Sequence, residues 1–475
     1  MRAFYIRDPE LLFFNNNKAI DPCHGLSVYG PYGVSRFKSI KIALIGSSES
    51  IFNVENLFIK MKNKIFHSKS LRWPFPGLGS KLLRIDFQII NKQIFKTTEM
   101  KIFEDLTPTK RIDRIKYAIS LIDSKFNIIS DIEPKPDVVV ISIPKEILKS
   151  CRDDRFRHKN TIFLTKRQFD VRLKNYKEGY NFHNIIKIIG MEKQIPTQLI
   201  YPYTLIPNPK EEGRQDLSMI AWNLTVALLY KANEIPWKFF EFPEKTCFIG
   251  ISFHKEFDDN DDLIMRSAIA QIFLSNGKDI VLKGEQFEWD DNYSKNPHMT
   301  KAYARRLIEF VLYKYKKHWD HLPDRVVIHK SSEYWEEEAS GLEEGLRNVN
   351  KIDLISISNT YFRFFRLGQE TVVRGTLLEF LGKYLLFSVG YLPCLDIYPG
   401  SRIPSPVEIK FYRTDDDKIK ICKEILALSR LNWNNVDYST KFPVTITFSK
   451  NVGNILSEYR AKSLHNPPDK YRYFM

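Results

Sequence analysis

The chain has 475 residues, of which 43% are hydrophobic and 27% charged, and 72 Lys+Arg against 57 Asp+Glu give a formal charge of +15. That length exceeds one ordinary domain and predicts two or three, each with enough apolar residues for a core of its own. The basic balance, with a pI near 9.3, points to a polyanionic partner such as nucleic acid. Cys23, Cys151, Cys247, Cys394 and Cys422 are dispersed, with no C-x-x-C pair and no Cys/His spacing that suits zinc, so they read as reduced thiols of a cytoplasmic protein. MRAFYIRDPELLFF is broken by charges and lacks a signal-peptide core, and no run of 18 apolar residues offers a membrane span.

In chain order, FYIRDPELLFFNNN and the turn-rich GLSVYGPYGVSR form a lead-in over residues 1–40. IKIALIGS is apolar throughout and reads as a buried strand, and VENLFIKMKNKIF follows with helical periodicity. PDVVVISIP at 136–144 is a second buried strand, and KEILKSC a short helix. Buried strands alternating with helices predict a parallel, Rossmann-like α/β domain. Gly46 opens no G-x-G-x-x-G fingerprint, so a dinucleotide site is not indicated. Residues 150–180 are strongly basic with interspersed aromatics, a composition suited to backbone contact with stacking. A helix is expected over about 216–233, apolar around most of its circumference.

CFIGISF then reads as the central strand of a second domain, with Ser252 at its exit edge. SAIAQIFLSNGKDIVLKGE predicts two strands joined at Asn276-Gly277. TKAYARRLIEFVLYKYKKHW is an amphipathic helix, RVVIHKSS a short strand and SGLEEGLRNV a helix. LISISNTYFRFF and the region near 370–390 read as strands, KEILALSRLNWNN as a helix entering a loop, and FPVTITFSKNVGNILSEY as a strand followed by a helix. The acidic patches at 256–262 and 333–345 read as solvated loops without calcium-loop spacing.

The residues with the clearest chemistry lie between His183 and Lys231. His183 and Lys187 are four apart in NFHNIIK, which places them on one face of a helix. Gln198 in IPTQLI and Lys231 in LLYKAN follow. Two potential cations, an amide and a third cation could converge on one small anion, such as a terminal nucleic-acid phosphate.

That quartet resembles the pocket of the Argonaute MID domain that holds the 5′-phosphate of a guide strand. Other segments resemble the same family in co-linear order: ELLFFNNN with GLSVYGPYG in the lead-in, WNLTVALLYKANEIPWK at the MID–PIWI connection, CFIGISF as the first PIWI strand, and LSRLNWNN, PVTITFSKNVGNIL and the aromatic RYFM at the end. The resemblance implies an α/β fold with a Rossmann-like MID domain at 41–240 and an RNase H-like PIWI domain at 241–475, as in short prokaryotic Argonautes. It assigns Lys187 and Lys231 the phosphate charge, Gln198 an amide donor, and His183 a donor or a stacking face for the first base. Some family members add Mg2+ at the phosphate, held partly by the chain's final carboxylate, here that of Met475. Ala227 stands where a further pocket residue would help hold it.

Active PIWI domains use carboxylates to bind two divalent ions. Here Ser252 occupies the first expected position, Ser331 the second, after Lys330, and Phe448, Ser449 and Lys450 the last. Glu256, Asp258 and Glu333 lie nearby in sequence. The resemblance therefore implies a catalytically inactive, guide-binding sensor of prokaryotic immunity. Its partners would be a guide RNA, a complementary single-stranded DNA target, and an APAZ-domain effector protein (an NADase, nuclease or membrane-acting toxin) in a heterodimer. The competing readings are an active guide-directed endonuclease and an RNA-binding protein without an effector.

Overall fold

The computed structural model describes residues 1–68, 73–106, 111–151, 181–205, 215–239, 245–257, 263–273, 281–287, 297–364, 367–368, 371–398, 402–456 and 468–475. Most of the basic stretch at 150–180, the Asn276-Gly277 turn, Asp258 and the expected boundary at 240/241 lie outside the described residues. Among the described residues, no helix is long and apolar enough to cross a membrane.

The lead-in supplies β1 (Arg2–Tyr5), β2 (Leu11–Leu12), β3 (Lys18–Ala19) and the short helix α1 (Pro22–Val28). Asp21 caps α1, its carboxylate accepting from the His24 amide at 2.7 Å, and Pro22 takes the first helical position, where a missing N–H costs nothing. Next come β4 (Lys38–Gly46), α2 (Ser48–Met61), β5 (Ile85–Ile94), α3 (Thr97–Asp105), α4 (Arg111–Ser130), β6 (Val138–Ser142), α5 (Lys145–Cys151), α6 (Phe182–Glu192), β7 (Thr197–Ile200) and α7 (Leu217–Lys231). The four strands form one parallel sheet in the order β5-β4-β6-β7. Alternate β4 side chains serve opposite faces: Ile40, Ile42 and Leu44 enter one core, Ala43 and Ile45 another. Coverage on both faces is why these strands are apolar without alternation. This is the Rossmann-like half.

After β8 (Lys238–Phe239), which pairs with β2, the chain builds a larger sheet. Its strands are β9 (Thr246–Phe257), β10 (Leu263–Phe273), β11 (Val281–Phe287), β12 (Arg325–Lys330), β13 (Lys351–Asn359), β14 (Thr376–Phe380), β15 (Lys383–Leu386) and β16 (Val407–Thr414). Nine strands run in the order β1-β14-β15-β16-β13-β12-β9-β10-β11. β9, β10 and β11 are antiparallel neighbours, whereas β12 joins β9 and β13 joins β12 in parallel. That arrangement is RNase H-like. The helices are α8 (Lys301–Trp319), α9 (Glu336–Gly345), α10 (Lys418–Leu428) and α11 (Val444–Leu456). Val326 and Ile328 of β12 face one core and Val327 the other, so this sheet is also covered on both sides.

The lead-in is tied into the larger half. β1 forms the sheet edge against β14. Asp8 accepts from Arg374 Nε at 2.8 Å and from the Tyr438 hydroxyl at 3.2 Å, with Arg430 at 3.8 Å. Both arginines are only 1% exposed, so the pairing is largely withdrawn from solvent.

Four expectations are corrected. FPVTITFSKNVGNIL is not a strand followed by a helix: Val444–Leu456 is helical throughout. Its β-branched run mimics a strand, but Pro443 precedes the first turn and the apolar face packs on β9 and β10, so tertiary burial overrides local propensity. The 333–345 acidic patch is not a solvated loop. It holds α9, whose first turn carries Glu336, Glu337 and Glu338 at the positive end of the helix dipole. Glu338 is fully buried against Lys330. Ser252 is not at a strand exit, because β9 continues to Phe257. β13 ends at Asn359, leaving Tyr361 and Phe362 exposed.

Sheet and helix come close at Gly250 in β9, where an added Cβ would meet the Thr445 carbonyl oxygen of α11 at 2.0 Å. Gly250→Ala is therefore expected to lower unfolding stability by about 1–3 kcal/mol, the usual cost of overpacking. Urea unfolding measures it, and an unchanged midpoint would mean that α11 sits further from β9.

Candidate nucleic-acid interface

α6 begins at Asn181, whose side chain accepts from the Asn184 amide at 3.3 Å. Asn184 then donates across the molecule to the Asn454 carbonyl of α11 at 2.9 Å, which fixes how α6 meets the larger half. One turn of α6 separates His183 at its exposed rim from Lys187 inside. β7 runs alongside and supplies Thr197 and Gln198. α7, capped at Asp216, brings Lys231 in its last turn.

Of the four expected residues, Lys231 and Gln198 are linked directly, and Lys187 is held through Thr197 and Met475. Lys187 Nζ donates to the Thr197 carbonyl at 2.7 Å and to the main-chain oxygen of Met475 at 2.6 Å. Lys231 Nζ donates to Gln198 Oε1 at 2.5 Å, and Gln198 Nε2 donates to the Leu199 carbonyl at 2.9 Å. Lys187 is 2% and Lys231 1% exposed. Among the described residues, no acidic side chain is within ion-pairing distance of either ammonium. Burial accordingly pushes the Lys187 pKa down to about 7. Burial and repulsion from Lys187 push Lys231 well below the ordinary lysine value. The dipole role that position alone allows Lys231 is not what holds it, because its ammonium is taken by Gln198.

His183 stands at the rim with its ring exposed, Nδ1 at 3.3 Å from Asn184 Oδ1. Crowding by surrounding protein atoms and the Lys187 charge lower its pKa, so it is neutral at pH 7. It offers a stacking face or a hydrogen bond, not a third cation.

The sequence reading missed Arg472. It donates to the Lys231 carbonyl at 3.4 Å and to the Tyr473 hydroxyl at 3.2 Å, with its guanidinium over the Tyr473 ring, and its buried Nε has no partner among the described residues. Tyr473 in turn donates to the Gln194 carbonyl at 3.2 Å. The RYFM signal was noted for its aromatics, and its arginine was the informative letter.

A divalent ion does not fit this donor set. Two ammonium groups face the space, Lys187 already engages the Met475 oxygen, and Ala227 is a buried methyl. Among the described residues, no group of three His, Cys, Asp or Glu side chains could hold a metal.

At the positions expected for the nuclease carboxylates, Ser252 and Ser331 follow paired residues Ile251 and Lys330 on adjacent strands. Ser252 is buried and donates to the Ser449 carbonyl at 2.7 Å. Lys330 is fully buried, paired with Glu338, its ammonium 5.1 Å from the Phe253 ring centroid. Glu333 is exposed and paired with Lys410. Phe448 is buried, stacked on Tyr471 at 3.7 Å between centroids, and Lys450 is exposed. The side chain of Glu256 lies outside what is described.

No protein-family model and no curated protein matches the chain. Solved structures do. In the structure of Clostridium butyricum Argonaute bound to a guide DNA and a 19-mer target DNA, 98% of this chain aligns with 54% of that chain at 15% identity and a TM-score of 0.65. For Drosophila Piwi the shares are 99% and 56%, at 14% identity and a TM-score of 0.60. For Aquifex aeolicus Argonaute they are 99% and 57%, at 16% identity and a TM-score of 0.56. The chain spans about half the length of each.

The Lys187 shift makes a pH prediction. An unfolded lysine keeps its proton to about pH 10.4, whereas the folded one loses it near 7. Between those values the unfolded state binds more protons, so this group makes stability rise with pH; below about 7 its full penalty remains. Lys187→Met is expected to flatten the stability–pH curve between pH 7 and 10 in protein free of nucleic acid. Parallel curves for both proteins would mean that Lys187 is solvated. Taken together, the two sheets and their relatives give this chain an Argonaute-like fold, with a Rossmann-like MID domain followed by an RNase H-like PIWI domain.

Proposed function

We propose that the chain is a guide-binding sensor of prokaryotic immunity, built as a short Argonaute. It holds a 5′-phosphorylated guide, taken to be RNA, recognises complementary single-stranded invader DNA, and activates an associated APAZ-domain effector. In this reading residues 1–40 are the lead-in, 41–240 the MID domain and 241–475 the PIWI domain. The observation that carries it is the pair of buried lysines, Lys187 and Lys231, which no acidic side chain among the described residues neutralises; Lys187 meets the Thr197 carbonyl and the terminal Met475 oxygen, and Lys231 meets Gln198. Two buried lysines with so little counter-charge are costly, and a bound anion would offset that cost. The similarity to a structure that contains guide and target strands supports a nucleic-acid phosphate as that anion.

Loading requires the closed arrangement to open. A phosphate would take over the ammonium of Lys187 from the main-chain oxygens, and that of Lys231 from Gln198, whose amide could then turn its N–H2 toward the anion. His183 would stack on or hydrogen-bond the first nucleotide. Protein contacts would read backbone and shape, and pairing with the guide would supply sequence.

In the same proposal the PIWI half is not a nuclease. Serine hydroxyls do not replace carboxylates as ligands of two magnesium ions, and Ser252 is already engaged by Ser449. The alternative, an active endonuclease, would need Glu256, Asp258 or Glu333 to be recruited, and Glu333 is held by Lys410.

Two experiments bear on this. Lys187→Ala combined with Lys231→Ala should weaken 5′-phosphorylated guides at least about tenfold more than 5′-hydroxyl guides, since a charged hydrogen bond contributes roughly 1.5–3 kcal/mol. Equal loss for both guides, read by filter binding at fixed salt, would remove the pocket assignment. Ser252→Asp with Ser331→Asp should give no Mg2+-dependent target cleavage, because further ligands are missing; efficient cleavage by that variant would show ligands recruited from elsewhere.

A further inference from the structure

β12 and β13 run in parallel, so the loop after Asn359 leaves the sheet at the same end as Ser331. Three exposed aromatic side chains gather at the start of that loop. Tyr361 is 91% exposed, Phe362 42% and Phe364 38%. The Phe362 and Phe364 rings are parallel within 7°, with centroids 6.4 Å apart. Phe364 is held in place by the fully buried Phe387, ring against edge at 6.0 Å and 63°. Grouped apolar rings left in water mark a binding surface. A ring pair anchored by core packing meets its ligand with little further ordering.

Cations stand beside the rings. Arg363 lies between the two phenylalanines in sequence, is exposed, and donates to the Phe362 carbonyl at 2.9 Å. Lys441 is partly buried and donates to the Ser405 hydroxyl at 2.6 Å. Burial and the nearby Arg363 charge hold its pKa below the ordinary lysine value. Among the described residues, no carboxylate is within ion-pairing distance of Arg363 or Lys441. An apolar protein segment would cover the rings and leave these cations without counter-charge. A free phosphate would engage the cations and leave the rings bare. A nucleotide carries both parts, a flat base and a phosphate joined by one sugar. The patch also connects to the lysine pocket. Lys450 of α11 stands over the Phe442 ring, next in sequence to Lys441, at 5.0 Å. One turn further along α11, the Asn454 carbonyl holds Asn184 of α6.

We propose that one nucleotide of a bound strand stacks its base on the Phe362–Phe364 pair and sets its phosphate against Arg363 and Lys441. The proposal deepens the guide-binding reading and rests on it for the strand, which is either the guide or its target. Stacking uses the face of the base, so it accepts every base but not a missing one.

Abasic sites therefore test it. They are placed one at a time along a 5′-phosphorylated guide, then along the complementary DNA, and binding to the full chain is read by filter retention. At one position of one strand, the abasic site is expected to weaken wild-type binding about fivefold or more. In Phe362→Ala, which truncates an exposed ring and leaves the Phe364 anchor in place, the same abasic site should cost nothing further. Phe362→Tyr keeps the ring and should keep the sensitivity. Arg363→Gln should lower the logarithmic salt slope by about 0.7, the share of one phosphate contact on a single strand. Abasic costs that are the same in wild type and Phe362→Ala at every position of both strands would overturn the proposal, as would an unchanged salt slope in Arg363→Gln. Equal binding of 5′-phosphate and 5′-hydroxyl guides with the Phe362 coupling intact would overturn the guide-binding reading and leave the stacking site standing. Failure of the chain to bind either strand would overturn both.

Discussion

The close approach of α11 to β9 is the constraint on which the rest of the molecule depends. Gly250 leaves room for the Thr445 carbonyl to lie directly over the strand. From that seat α11 reaches two ways. Toward the larger sheet, Thr445 meets the buried His329 Nδ1 at 2.8 Å and Ser449 receives the Ser252 hydroxyl. Toward the smaller half, the Asn454 carbonyl accepts from Asn184, and Phe448 stacks on Tyr471 of the last segment. A bulkier residue at 250 would lift α11 and shift α6 and the tail that together carry the lysine pocket.

That pocket is organised around an electrostatic deficit. Lys187 and Lys231 are removed from water and donate to the Thr197 carbonyl, the terminal Met475 oxygen and the Gln198 amide oxygen, with no acidic side chain among the described residues beside them. Nothing in protein stability asks for two such groups so close, since Lys187 lowers the affinity of Lys231 for its proton. A deficit of this kind is what a bound anion would correct, and the proposed guide phosphate explains why the molecule tolerates it. The region around Ser252 and Lys330 shows the opposite pattern. There Lys330 has Glu338, Ser252 has a carbonyl and Lys410 has Glu333, so the polar groups are satisfied internally. One region is poised for a ligand and the other is closed on itself.

The junction of the lead-in with the larger half follows a third logic. Asp8 is held by buried arginines from distant parts of the chain, which makes the first residues part of the second domain's structure.

The sequence by itself determined the elements with strong, uniform burial. IKIALIGS and VVVIS could only be strands covered on both faces. The four-residue spacing of His183 and Lys187 put them on one helix. These are properties of periodicity and residue type, which do not need a partner to be read. Only the tertiary structure decided the rest. VTITF looks like a strand and is a helix, because its β-branched side chains find their burial against β9. Glu338 sits in an acidic run typical of solvent and is buried, because Lys330 lies beneath it. His183 stays exposed at the rim while Lys187, one turn on, is buried, because Thr197 and Met475 close over the lysine. Arg472 joins the pocket only because Tyr471 packs the tail against α11. In each case the deciding interaction joins residues far apart in the chain, and no local pattern carries that information.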